Sequence, residues 1–312
     1  MDALQNSLLA HIALPLVVIL IMAGMGLGLR VSDFREIFAR PKAAAIGIFV
    51  QICVVPAAAF AIAFALDLSP EMAIGLVILA SCASGTNSNI FTLLAHANVA
   101  LSITLTVICG LIAVITVPLL GNYAVALFGS EKVMQPVHLP LASTIGELFA
   151  VSVLPVLLGM WFRHAKPAIA SQLRKYVGVL GIGVLLVLLI VILYEIRDQI
   201  MPLLVQGGPA AAALILVGIV VGLISGKLAG LAHSDTLAIA IEAGNKNATM
   251  GLMVTLTLLH SSTMSIPSAV YASLQFSFGL ALVLYGRSRI INGQAAAKKS
   301  VSNHPQEPGR TD

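Results

Sequence analysis

Two short polar runs hold the residues of this chain that could do chemistry. The first, Ser81-Cys82-Ala83-Ser84-Gly85-Thr86-Asn87-Ser88-Asn89, lies between AIGLVILA and IFTLLA. The second, Glu242-Ala243-Gly244-Asn245-Lys246-Asn247-Ala248-Thr249, lies between DTLAIAI and MGLMVTLTLL. Together they supply hydroxyls, amides, one carboxylate and one ammonium inside apolar sequence. A charge at the centre of a membrane span costs roughly 2.5–3.5 kcal/mol on insertion scales. Polar residues glue helices together in ones and twos. Two such clusters, one with both charges, point instead to a site. Gly85 and Gly244 favour local unwinding there. Unwound backbone at that depth must line a cavity or be buried in protein. The half-helices it creates offer N-termini to an anion and C-terminal carbonyls to a cation.

Enzyme chemistry is not indicated. No HExxH, GxSxG or P-loop pattern is present. Glu242 and Lys246 have no His or Cys partner placed by motif, so an intramembrane enzyme is not expected. Cys53, Cys82 and Cys109 fall in apolar stretches without zinc or disulfide spacing, so they read as small hydrophobes and no cofactor is expected. Glu147, Glu195, Arg197 and Asp198 fall at span ends and read as solvated. His11, His96, His164 and His260 also sit near ends.

The elements that must position the two runs follow from composition. Of 312 residues, 59% are hydrophobic and 10% charged, with mean hydropathy +1.01. A soluble domain carries about 25% charged residues, so the lipid bilayer is the expected surroundings and nucleic acid is not a partner. Nine apolar spans are read near 8–29, 43–66, 70–95, 98–128, 144–163, 177–196, 203–230, 234–260 and 266–286. They form one transmembrane domain over 1–290, and 291–312 read as a disordered cytoplasmic tail. The N-terminus lacks a basic leader region, so the first apolar run is expected to stay as a helix. Of the 17 Lys and Arg residues, fourteen fall on one side of a nine-span chain, two on the other, and Lys246 within a span. The positive-inside rule places the N-terminus outside and the C-terminus in the cytoplasm. The runs sit in spans 3 and 8. That odd offset makes the two helices antiparallel, as in an inverted repeat. The fold class expected is therefore an all-α polytopic membrane protein, an inverted-repeat secondary transporter with two discontinuous helices.

At these residues the chain resembles the bile acid:sodium symporter family. The resemblance covers nearly its whole length. It rests on the Gln of AIGIFVQICVVP, the SGTNSNIFTLLAHANVALSITLT block, the IAIEAGNKNATMGL block and the basic VSDFREIFARPKA loop. The resemblance implies crossed broken helices in a core beside a separate panel, similar to sodium/proton antiporters. It also implies a nine-helix bacterial member in the inner membrane. It implies one sodium site at Ser88, Asn89, Ser102, Thr106 and Glu242, whose hard oxygens suit Na⁺. A second cation site is implied at Gln51, Glu242, Ala243 and Asn245, with Lys246 where the family has a glutamine. Lysine has donors only and cannot ligate Na⁺ when protonated. It can occupy the second sodium's place and pair with Glu242, it can titrate and couple H⁺, or it can snorkel to an interface.

Substrates in the family are small or amphipathic organic anions, among them bile acids, pantoate and pyruvate. The implied contacts are Thr86, Asn87, Asn247 and Gln275, the last within Leu274-Gln275 where some relatives have His-Asn. A positive Lys246 favours a small monocarboxylate. The alternative is an exporter or uniporter of the same superfamily, arsenite-type or for organic anions, without sodium coupling. Its thiol candidate would be Cys82.

Overall fold

The computed structural model describes residues 14–30, 38–129, 140–177 and 200–302, with Ile12, Asp33, Leu180 and Gly183. The expected span 177–196 falls almost wholly outside them, as do Glu195, Arg197, Asp198 and His11.

Every described element is helical. In chain order they are α1 Leu14–Gly28, α2 Pro41–Ala65, α3 Pro70–Ser81, α4 Asn87–Leu94, α5 Val99–Phe128 and α6 Leu141–Ala165. They continue with α7 Ile200–Leu228, α8 His233–Gly244, α9 Ala248–Met253 running into a π-helical turn Val254–Leu258, and α10 Ser262–Ser302. Five are long and apolar enough to cross a membrane: α2, α5, α6, Gly207–Leu228 of α7 and Ser262–Arg289 of α10. The protein is an all-α polytopic membrane protein.

Local sequence explains several boundaries. Ser69 accepts from the Met72 N–H and Pro70 opens α3, a pairing that satisfies an orphan donor and sets φ. Asn98 caps α5 through the Leu101 N–H. Two π-helical turns, Val50–Val54 in α2 and Phe149–Val153 in α6, contain the residues four before Pro56 and Pro155. A proline ring displaces that carbonyl, and the wider turn accommodates it. Asp67, His96, Gly230 and His260 adopt positive φ just past the ends of helices. Bonds such as Ala97 N–H to Thr92 O at 2.9 Å and Leu231 N–H to Gly226 O at 3.0 Å close these ends as Schellman motifs.

Spans 3 and 8 are each broken, as expected. Residues Cys82 to Thr86 separate α3 from α4, and Asn245 to Asn247 separate α8 from α9. The breaks cross and touch: the Asn247 N–H donates to the Ala83 carbonyl at 2.8 Å. The glycines work differently from the expectation. Neither Gly85 nor Gly244 has positive φ. Gly244 is still helical, and a Cβ there would come within 2.5 Å of Ile219 on α7. It permits close packing rather than unwinding.

Two groups of helices result. α1 and α6 cross at glycines, where a Cβ on Gly26 would collide with the Val156 carbonyl and one on Gly159 with the Ala23 carbonyl. The other helices surround the crossing breaks, with α8 held between α5 and α7. The tail differs from the expectation over 291–302. There α10 continues as helix to Ser302, because Ala295–Ala297, Lys298 and Lys299 are strong helix formers.

Candidate functional site

Glu242, on the last turn of α8, is fully buried, and hydroxyls from three elements converge on it. Ser88 of α4 and Ser102 of α5 each donate to its Oε1 at 2.5 Å. Thr106, one turn beyond Ser102, lies 3.1 and 3.0 Å from Oε1 and Oε2. Ser84, in the first break, donates to Oε2. Asn89 joins through its Oδ1, which accepts from Ser102 at 2.9 Å. All five residues implied for the first sodium site are thus brought together.

More bonds reach this carboxylate than its roughly four lone-pair positions can take at once. Each hydroxyl has a single proton and a second acceptor in reach. For Ser88 it is Gly85 O at 2.8 Å, for Ser102 it is Asn89 Oδ1, and for Thr106 it is Ser102 O at 3.0 Å. If the protons turn to those acceptors, the hydroxyl oxygens keep lone pairs free beside the carboxylate. That is a hard-oxygen ligand set for a small cation.

The second implied site is arranged otherwise. Lys246 is 1% exposed, so it does not snorkel. Its Nζ donates to Gln51 Oε1 at 3.4 Å, and Gln51 Nε2 donates to Glu242 Oε2 at 3.2 Å. Of the alternatives for Lys246, pairing with Glu242 takes the form of a relay: no Lys246–Glu242 ion pair forms within 4.0 Å, and the amide of Gln51 separates the two charges. The amide's orientation suits both, nitrogen to the carboxylate and oxygen to the ammonium. Asn245 donates its Nδ2 to Ile241 O at 2.9 Å, while its buried Oδ1 has no partner among the described residues. The Ala243 carbonyl packs against Gly218 of α7.

A cavity of about 40 Å³ opens beside the crossing, between α1 and α6 on one side and α5 with the breaks on the other. Its walls include Met22, Met25, Ser84, Thr106, Ser152, Val156 and Asn247. Asn247 caps α9 through its Oδ1, which accepts from Met250 N–H at 3.1 Å. That bond fixes the amide's orientation and leaves Nδ2 as a donor without a partner among the described residues. Of the four substrate contacts implied earlier, Asn247 alone lines this cavity. Thr86 and Asn87 are half-buried at the start of α4, and Gln275 is buried one turn past Tyr271 on α10. Tyr271 itself donates to Gly244 O at 2.9 Å and braces the second break.

Sequence reasoning missed three participants. Ser84 belongs to the quoted run but was not singled out. Thr92 bonds Ser102 at 3.1 Å from inside an apolar stretch. Asp235, 4% exposed, carries the ion pair with Arg40 at 2.7 Å. Glu147, His96, His164 and His260 are exposed, as expected from their positions.

A helical membrane protein with an oxygen-rich site between two crossed broken helices belongs to the transporters rather than to the enzymes. The particular family follows from comparison. The model of the Sodium Bile acid symporter family matches residues 15–203, and the chain belongs to that family, whose members are sodium-dependent transporters. It is 31% identical over 289 residues to the Bacillus subtilis protein named "Uncharacterized sodium-dependent transporter YocS", covering 90% of this chain and 85% of that one. It is 27% identical over 252 residues to the "Probable sodium/metabolite cotransporter BASS1, chloroplastic" of Arabidopsis thaliana, covering 80% of this chain and 60% of the plant protein. It is also 27% identical over 245 residues to the "Ileal sodium/bile acid cotransporter" of Homo sapiens, covering 77% and 68%.

Proposed function

We propose that the protein cotransports a small organic anion, of the monocarboxylate kind, with Na⁺ bound at Ser88, Asn89, Ser102, Thr106 and Glu242. The observation that carries this reading is the convergence of Ser88, Ser102 and Thr106 on the buried Glu242, each hydroxyl having a second acceptor for its proton. The Lys246 ammonium takes the second cation's place, held to the carboxylate through Gln51, so one Na⁺ accompanies each cycle. Release of the Lys246 proton during the cycle would couple H⁺ as well. The anion docks against Asn247 Nδ2 in the cavity. At about 40 Å³ that cavity holds a few waters and is far smaller than the roughly 300 Å³ of a ligand pocket, so the α1–α6 pair must part from the core to admit substrate.

The reading extends to nine spans in an inverted repeat, the N-terminus outside and the C-terminus in the cytoplasm, in a bacterial inner membrane. A sodium-free exporter working through a thiol finds less support. Cys82 is buried, donates to Ile78 O at 3.3 Å and is absent from the cavity walls.

The test is uptake of pyruvate and pantoate into proteoliposomes with inward Na⁺, with Na⁺ replaced by K⁺, and at two pH values, for wild type and Glu242→Gln. Expected is Na⁺-dependent uptake that falls about 100-fold in the variant, or about 2.7 kcal/mol. Uptake in Glu242→Gln equal to wild type under the inward Na⁺ gradient refutes the reading.

A further inference from the structure

Glu242 meets Ser102 and Thr106 only if α8 and α5 keep one axial register. Seven residues below Glu242, on the same face of α8, stands Asp235, about 10 Å away along the axis. Four residues below Ser102, on the same face of α5, stands Asn98. These lower residues bond each other: Asn98 Nδ2 donates to Asp235 Oδ1 at 2.8 Å. The seam between α8 and α5 is thus a ladder with two polar rungs.

The lower rung is tied more firmly than its solvent-side position requires. Arg40 Nη1 donates to Asp235 Oδ2 at 2.7 Å. The Asn98 N–H donates to Ser234 O at 3.1 Å, while Asn98 Oδ1 holds the first turn of α5. Arg40 immediately precedes α2, which carries Gln51. One buried carboxylate therefore links the starts of all three helices that bring Gln51, Ser102, Thr106 and Glu242 together.

The other side of α8 packs closely on α7 but through small residues. There Gly218, Gly222 and Gly226 of α7, spaced four apart, face Ala243, Ala240 and Thr236. Small residues against small residues permit close approach but interlock weakly along the axis. Between the two rungs Leu101, Ala238 and Ile239 are all fully buried, so the seam there is apolar.

We propose that Asp235 is a positioning residue: held between Arg40 and Asn98, it fixes the register of α8 against α5 and thereby the sodium affinity of the Glu242 site. This rests on the sodium reading above. A site held within about 0.5 Å of its working geometry is sensitive to such a shift.

The experiment is a Na⁺ titration of thermal stability on the purified full chain, reading the Na⁺ concentration at half-effect rather than the melting temperature. Two variants break the rung. Asp235→Asn removes the charge that holds Arg40. Asn98→Ser keeps a good helix cap but removes the amide donor. Each is expected to raise the half-effect concentration about tenfold, or about 1.4 kcal/mol. Lys42→Ala is the control: Lys42 donates to Ala229 O at 2.6 Å at the same end of the molecule, away from the seam, and its loss should leave the midpoint in place. A purely structural role would lower stability at every Na⁺ concentration without moving the midpoint, and that result in Asn98→Ser overturns the proposal. An equal shift in Lys42→Ala overturns it too, because general loosening would then suffice. A wild type that Na⁺ does not stabilise instead overturns the sodium reading, and this inference with it.

Discussion

The backbone N–H of Asn247 donates to the carbonyl of Ala83 at 2.8 Å, so the two helix breaks hydrogen-bond to each other across 164 positions of sequence. Asn247 then uses Oδ1 to cap α9 and leaves Nδ2 for the cavity. These duties are separable. Asn247→Ser preserves the backbone bond and the cap but removes the Nδ2 donor. We expect the substrate concentration for half-maximal uptake to rise about tenfold, the upper range for one hydrogen bond, while the Na⁺ midpoint stays put. If both midpoints move together in uptake assays, Asn247 serves the cation as well.

Lys246 is the residue with the sharpest consequence for stoichiometry. Lys246→Gln puts an amide with an acceptor oxygen where the ammonium was. The number of Na⁺ ions bound per protein should rise from one to two, read by isothermal titration or by the Hill slope of uptake against Na⁺. Lys246→Met fills similar volume without charge or acceptor and should not add a second ion. Two bound Na⁺ in the wild type would contradict the assignment.

His96 ends α4 with φ +54° and is exposed. Left-handed backbone costs a non-glycine residue about 1–3 kcal/mol. His96→Gly should therefore stabilise the protein by about 1 kcal/mol, and His96→Val, β-branched, should destabilise it by a similar amount. Thermal unfolding in detergent measures both.

The α1–α6 pair depends on Gly26 and Gly159, where backbones touch. Gly159→Leu has no room and should cost about 1–3 kcal/mol. Because that contact lies within the pair and away from Glu242, the Na⁺ midpoint should not change. A shifted midpoint would mean that the pair and the cation site are mechanically linked at this glycine.

Much of the architecture was legible in the sequence because hydrophobicity is local. Apolar runs of helical length and the polar interruptions at Ser81–Asn89 and Glu242–Thr249 need only neighbouring residues to be recognised. Placing Ser88, Asn89, Ser102, Thr106 and Glu242 in one site needed a family pattern as well, since their types alone equally suit helix packing. Asp235 escaped notice because a charge at a span end is ordinarily solvated. Nothing nearby in sequence announces Arg40, which is 195 positions away.

The two polar breaks could be found from the chain alone, because the cost of placing such groups in hydrocarbon is a property of the residues themselves. Their use was decided in three dimensions. Whether Lys246 reaches Glu242 directly, through Gln51, or not at all depends on where α2 lies beside α8. The distances of 3.4 and 3.2 Å on either side of the Gln51 amide answer that. Gly244 is the same lesson in reverse. Its composition suggests a loosened backbone, but Ile219 packs where its side chain would be, and close contact rather than flexibility is its role. Local free energies select the elements, while register and crossing geometry, set by contacts far apart in sequence, select the site.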